Sequence, residues 1–221
     1  MIHLYAIVEG LGQLPEVAGL AGAPLERLRV DDLEVVVSDV PASGPDAPRD
    51  ETVMRHALVV DELMQRSAAV LPGRLGQPFS DEDALARAVR ADAGRLKDAL
   101  SRVRGCVEFG LRALRSERAR SSERPRGGAE YMRARREEEA ELGRLAAEIH
   151  EPLARLARES TRRVGGRAGL LLEAAYLVPL DRIEPFRAEV ARLESSRPRL
   201  AFVCTGPWPP YSFASENGGR E

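Results

Sequence analysis

The apolar residues of this chain fall into short runs and longer stripes, and the two periods mark different elements. Ile2 to Val8 is an apolar-rich run closed by Glu9-Gly10-Leu11-Gly12, the pattern of a buried strand followed by a turn. Leu25 to Val30 and Leu33 to Val37 are separated only by Asp31-Asp32, which predicts a tight hairpin. From Asp50 to Ala69 the period lengthens. Val53, Ala57, Val60 and Met64 recur at steps of four, three and four and predict one face of a helix. Val70-Leu71 then leads into an extended or turn segment, Pro72 to Phe79. A second helix is expected behind Ser80, with Asp83 as its capping partner. It carries Leu85, Ala88, Val89, Leu96, Ala99, Leu100 and Val103 on one face and stops at Gly105.

The second half repeats the mixture. Val107, Phe109, Leu111 and Ala113 alternate with Glu108, Gly110 and Arg112 and predict a half-buried strand. A long charged helix is expected from Ala129 to Arg163. Its stripe is Leu142, Leu145, Ile149, Leu153 and Leu156, and Pro152 should kink or split it. After Gly165-Gly166, Leu170 to Val178 is almost uniformly apolar and reads as a central strand. Asp181 with Glu184 resembles a capping box for a helix that carries Ile183, Phe186, Val190 and Leu193. Beyond Pro198, Leu200 to Cys204 is the final strand. The Pro-rich segment Pro41 to Pro48 and the Arg-rich segment Arg115 to Gly128 read as loops. This order predicts an α+β chain of two small ferredoxin-like domains joined by helices, spanning 1–104 and 105–206, with an extended Pro/aromatic tail over 207–221.

Composition narrows the class of function. Lys plus Arg number 33 against 35 Asp plus Glu, a net charge of -2, so nothing global draws the chain to nucleic acid or to an anionic membrane. No run approaches the ~20 apolar residues of a membrane span, and the N-terminus lacks the basic start of a secretory signal. The two cysteines, Cys106 and Cys204, sit in runs that read as buried strands, where free thiols are the default. A cytoplasmic protein is expected.

A search for chemistry finds no site. Gly10-Leu11-Gly12 follows a strand as a dinucleotide-binding turn does, but Pro15 stands where the third glycine belongs, and a plain turn is the better reading. His3, His56 and His150 are scattered, without metal-ligand spacing. No cofactor or metal is expected, and no catalytic residue is assigned. His56, on the flank of a helical face, reads as a packed histidine. The basic stretch Arg112 to Arg136 is interrupted by Glu117, Glu123 and Glu130 and reads as solvated surface rather than a nucleic-acid site. The terminal segment is different: Trp208, Tyr211 and Phe213 lie among Pro207, Pro209 and Pro210. A proline-stiffened strap with three aromatics buries apolar area at small entropic cost, against its own domain or against a partner.

Cys204-Thr205-Gly206-Pro207-Trp208-Pro209-Pro210-Tyr211-Ser212-Phe213 resembles the closing motif of gas vesicle proteins of the F/L family. The resemblance extends through Leu4-Tyr5-Ala6-Ile7-Val8, His56 with Leu71-Pro72-Gly73-Arg74-Leu75-Gly76, Gly105-Cys106-Val107-Glu108, Tyr131-Met132-Arg133-Ala134-Arg135, and Ala175 to Pro179. Ala6 stands where the family usually has glycine, Gly73 where valine is common, and Leu75 where phenylalanine is usual. The resemblance implies an N-terminal ferredoxin-like domain, a C-terminal α+β domain and a tail. It also implies a non-enzymatic role in building gas vesicles, with the small hydrophobic major shell protein and other gas vesicle proteins as partners. Trp208, Tyr211, Phe213, Leu71, Pro72 and Arg74 are the candidate partner-binding residues. The competing reading, a ligand-binding or enzymatic protein on the same scaffold, would be favoured by His56, Arg74 and Glu108 in one pocket, and scattered positions would count against it.

Overall fold

The computed structural model describes residues 1–41, 50–115, 128–165 and 169–214. Most of the two expected loops, at 42–48 and 116–127, and Gly166 lie outside the described residues. The chain divides into two compact units. Among the described residues, one is Met1–Cys106 with 208–214, and the other is Val107–Pro207.

The first unit is built on a four-stranded sheet, β1 (Ile2–Glu9), β2 (Glu26–Val30), β3 (Leu33–Asp39) and β4 (Ala69–Pro72), in the order β2-β3-β1-β4. All of its pairings are antiparallel. The β2–β3 hairpin turns at Asp31, which adopts φ 54°, a left-handed conformation that Asp tolerates better than most residues. Helix α1 (Asp50–Arg66) packs on one face of the sheet. Its buried residues are His56, Val59, Val60 and Leu63. The buried face is therefore turned from the expected stripe, and Val53 is 45% exposed. Helices α2 (Glu82–Ala91) and α3 (Ala93–Val103) contact β2 and β4 respectively.

A single helix was expected where α2 and α3 stand. The break falls at Asp92, in the stretch between Val89 and Leu96 that carries no large apolar side chain, next to the poor helix former Gly94. The expected Ser80–Asp83 cap is also corrected. Asp81 caps α2, with its Oδ1 accepting from the Ala84 N–H at 2.7 Å, and Ser80 Oγ donates to Asp81 Oδ2 at 2.9 Å.

The second unit runs β5 (Cys106–Arg115), α4 (Gly128–Ala154), β6 (Glu159–Val164), β7 (Leu170–Pro179), α5 (Ile183–Ser195) and β8 (Leu200–Trp208), with sheet order β6-β7-β5-β8. This βαββαβ order is ferredoxin-like. The first sheet has the same order of its four strands, but residues 10–25, with only a short 3₁₀ turn at Leu20–Gly22, stand where the first crossover helix would be. Thus the chain is α+β with two antiparallel four-stranded sheets.

Three expectations in this half are corrected. The long helix ends at Ala154, not Arg163, and its last stretch is β6, paired antiparallel with β7 from Glu159↔Leu177 to Val164↔Leu172. Pro152 lacks an N–H and ends helical propagation within a turn, and Thr161 and Val164 favour the pleat. The Asp181–Glu184 box does not form, because a 3₁₀ turn at Leu180–Arg182 runs directly into α5 with no side-chain cap. Cys106 is buried, but Cys204 is exposed, since β8 is an edge strand. The core of this unit centres on Phe109, Tyr176 and Phe186, whose rings pack at 5.1 and 5.2 Å.

Candidate functional site

The site grows from an irregularity in β1. Leu4 pairs with Val37 and Ala6 with Val36, so Tyr5 is an extra, unpaired residue. Side chains normally alternate across a strand, but this bulge places Tyr5, Ala6 and Val8 in the same buried cluster with Val59, Val60 and Leu63 of α1. The Tyr5 hydroxyl accepts from the Leu20 N–H at 2.6 Å and bonds Ser38 Oγ at 2.9 Å. Burial pushes its pKa up.

His3, two residues earlier, lies edge-on to Tyr5 with ring centroids 4.7 Å apart. Its Nε2 is 2.9 Å from His56 Nδ1 on α1, and the His56 ring stacks on Tyr5 at 5.6 Å. Both imidazoles are buried. Burial, then repulsion from His56, lowers the His3 pKa to about 4. Burial also lowers that of His56. Both rings are therefore neutral at pH 7, and one donates while the other accepts. The Gly73 backbone pulls the His56 pKa back up without completing a hydrogen bond to His56 Nε2, which is buried and unpaired among the described residues.

Gly73 closes over the bulge. Its N–H donates to the Tyr5 carbonyl at 2.7 Å, and a Cβ there would strike the Leu4 carbonyl oxygen and lie 3.1 Å from that of Tyr5. Glycine is thus required where the resemblance expects valine. From this point Pro72, Gly73, Arg74, Leu75 and Gln77 run along a groove of about 650 Å³ whose other walls are Val53, His56 and Ala57 of α1 and Tyr211 and Ala214 of the terminal segment. All of these residues belong to the first unit.

The terminal segment is docked. Beyond β8, Tyr211–Phe213 forms a 3₁₀ turn, Phe213 is 2% exposed, and Arg102 donates to its carbonyl at 2.8 Å. Of the six candidate residues, Pro72, Arg74 and Tyr211 line the groove, and Leu71 and Phe213 are buried. Trp208 is exposed and is not among the lining residues. His56 and Arg74 line this groove, whereas Glu108 belongs to the other unit and is not among the lining residues. His150 likewise lies in the second unit, 3.0 Å from the Tyr176 hydroxyl. Among the described residues no group of three or more metal-ligating side chains occurs, and no helix is long and apolar enough to cross a membrane.

What sequence reasoning missed is the apolar surface beside the groove. Val53, Met54 and Leu58 of α1 and Tyr211 are all more than 40% exposed. The signal was present in α1, which carries apolar residues on more faces than one sheet can cover.

The model of the family described as gas vesicle synthesis protein GvpL/GvpF matches residues 1–215. The chain belongs to this family. GvpL/GvpF relatives of both names match along nearly their whole length. Gas vesicle protein F1 of Halobacterium salinarum is 27% identical over 225 residues, covering 100% of this chain and 95% of the relative. Gas vesicle protein L of Streptomyces sp. strain CB03234 is 30% identical over 246 residues, covering 96% and 92%. The fold matches that of the crystal structures of GvpF from Anabaena sp. PCC7120 (TM-score 0.81, 18% identity, 97% and 95% covered) and from Microcystis aeruginosa (TM-score 0.79, 17% identity, 97% and 98% covered). As a GvpL/GvpF protein, the chain has a gas vesicle-related role.

Proposed function

We propose that this GvpL/GvpF chain acts in gas vesicle assembly as a non-enzymatic holder of the small, hydrophobic major shell protein, in the cytoplasm and at the growing vesicle. The observation that carries this reading is the apolar groove of the first unit, flanked by exposed Val53, Met54 and Leu58. Exposed apolar side chains gathered at a groove are the signature of a protein-binding surface. A shell subunit with a wide apolar face would aggregate if left free, and a groove of this kind shields it. In this reading Pro72, Arg74 and Tyr211 meet the partner. Leu71 and Phe213 hold the walls from behind, and Trp208 extends the contact. Other gas vesicle proteins would meet the chain elsewhere.

The test is co-expression with the cognate major shell protein and capture of the soluble complex. Wild type should hold shell protein in solution. Val53→Asp and the Trp208→Ala, Tyr211→Ala pair should lose it while keeping their circular dichroism. Failure of wild type to capture shell protein would sink the reading. Capture by wild type and variants alike would move the contact away from the groove.

A further inference from the structure

One wall of the groove is an excursion of the sheet edge. β4 pairs with β1 residue for residue, from Glu9↔Ala69 to Ala6↔Pro72. Continued at that register, Ile2 would face Gly76, but it faces Phe79, three residues further on. Both ends of the detour are fixed. The Gly73 N–H donates to the Tyr5 carbonyl at 2.7 Å, and Ile2 and Phe79 exchange two backbone hydrogen bonds of 2.8 Å. Between them Gly76, at φ 82°, supplies a left-handed turn. Extra residues in one strand of an antiparallel pair stand outside the ladder and re-aim their side chains. Here they place Arg74, Leu75 and Gln77 along the groove.

The lining is otherwise mostly apolar, and Arg74 is its one charged residue, because His56 is neutral at pH 7. Arg74 is exposed and makes no ion pair among the described residues. In the same unit Arg66, Arg90, Lys97 and Arg104 each hold a carboxylate within 3.4 Å. An occupant that is apolar throughout would strip water from the Arg74 guanidinium and return nothing for it. An occupant that brings a carboxylate returns a charge-assisted, bidentate pair that fits the planar fork. Once the occupant excludes water, that pair is stronger than one in the open. The Gln77 amide, on the same detour, offers a further donor.

Resting on the holder reading above, we infer that the groove selects a segment of the major shell protein in which an apolar stretch is interrupted by one carboxylate, and that Arg74 reads this carboxylate. The apolar walls supply affinity without register. Arg74 fixes the register, because a segment slid along the groove leaves both charges buried and unpaired. One charge-assisted pair of this kind is worth about tenfold in affinity.

The test is capture of the cognate major shell protein by the full chain, as wild type, Arg74→Met and Arg74→Gln. Each is set against shell protein carrying one Asp→Asn or Glu→Gln substitution at a time. Arg74→Met keeps a long apolar stem and removes only the charge. It should lower capture about tenfold, and Arg74→Gln should do the same, both with unchanged circular dichroism. One carboxylate-to-amide substitution in the shell protein should lower capture by wild type to the same extent and change nothing against Arg74→Met. Capture by Arg74→Met that equals or exceeds wild type would overturn the inference and leave a groove for wholly apolar segments. A loss on Arg74→Met that no single shell carboxylate shares would also overturn it. In both cases the holder reading stands. A wild type that captures no shell protein would remove that reading, and this inference with it.

Discussion

The His3–His56 pair makes the first unit acid-sensitive in a defined window. The imidazole of His3 has an ordinary pKa of 6.5 when unfolded and about 4 when folded. Between these values the unfolded chain binds a proton that the folded one refuses, so stability falls as pH falls. The contribution is fully present above pH 6.5 and is lost as pH drops toward 4. The shift corresponds to about 3 kcal/mol at ~1.4 kcal/mol per pKa unit, a large part of the stability of a small domain. His3→Gln keeps a hydrogen-bonding group toward His56 Nδ1 but removes the titration. Urea unfolding of wild type and variant, with amide protection in β1 reporting the first unit, should give curves that converge as pH falls from about 7 to about 4. The carboxylates common to both cancel in the difference. The chain has only 3 histidines, so the imidazole resonances also report the pKa directly. Parallel stability curves, or a His3 resonance that titrates at its ordinary value, would refute the reasoning.

Three further outcomes follow from the packing. Gly73→Val, which restores the residue common in the family, should destabilise the first unit by about 2 kcal/mol or more through overpacking against the Leu4 carbonyl, and a thermal melt at or above the wild-type midpoint would contradict the bulge geometry. Phe213→Ala empties a site that is 2% exposed. It should cost about 3 kcal/mol and raise the exchange rate of amides in the 211–213 turn, as seen by hydrogen-exchange mass spectrometry. Tyr176→Phe removes the hydroxyl 3.0 Å from His150 Nδ1 and should cost about 1–2 kcal/mol, measured by denaturant unfolding of the second unit.

Much of the fold was legible because its elements are written in local periods. The strands at Ile2–Glu9 and Leu170–Pro179, the hairpin at Asp31-Asp32 and the helix of Phe186, Val190 and Leu193 each follow from spacing a few residues long. The long helix stops short of Arg163, and spacing does not mark that end because polar helix and edge strand look alike when few apolar residues set a period. The helix behind Ser80 divides at Asp92, where no large apolar side chain carries the period across. β6 exists because β7 offers it a ladder, and that partner is not visible from within the segment. The site was legible only in its parts. The terminal motif and the Leu71 to Gly76 segment stand out in the sequence, but their meeting across the groove is a tertiary fact. So is the pairing of His3 with His56, which are 53 residues apart. The sequence by itself determined the family, the α+β class and the order of most elements, because periodicity and motif are properties of neighbouring residues. The tertiary structure alone decided which faces are buried, that Tyr5 bulges under Gly73, that two scattered histidines share a hydrogen bond, and that Val53, Met54 and Leu58 remain outside. Those outcomes depend on which distant surfaces compete for the same core, and no local pattern records that competition.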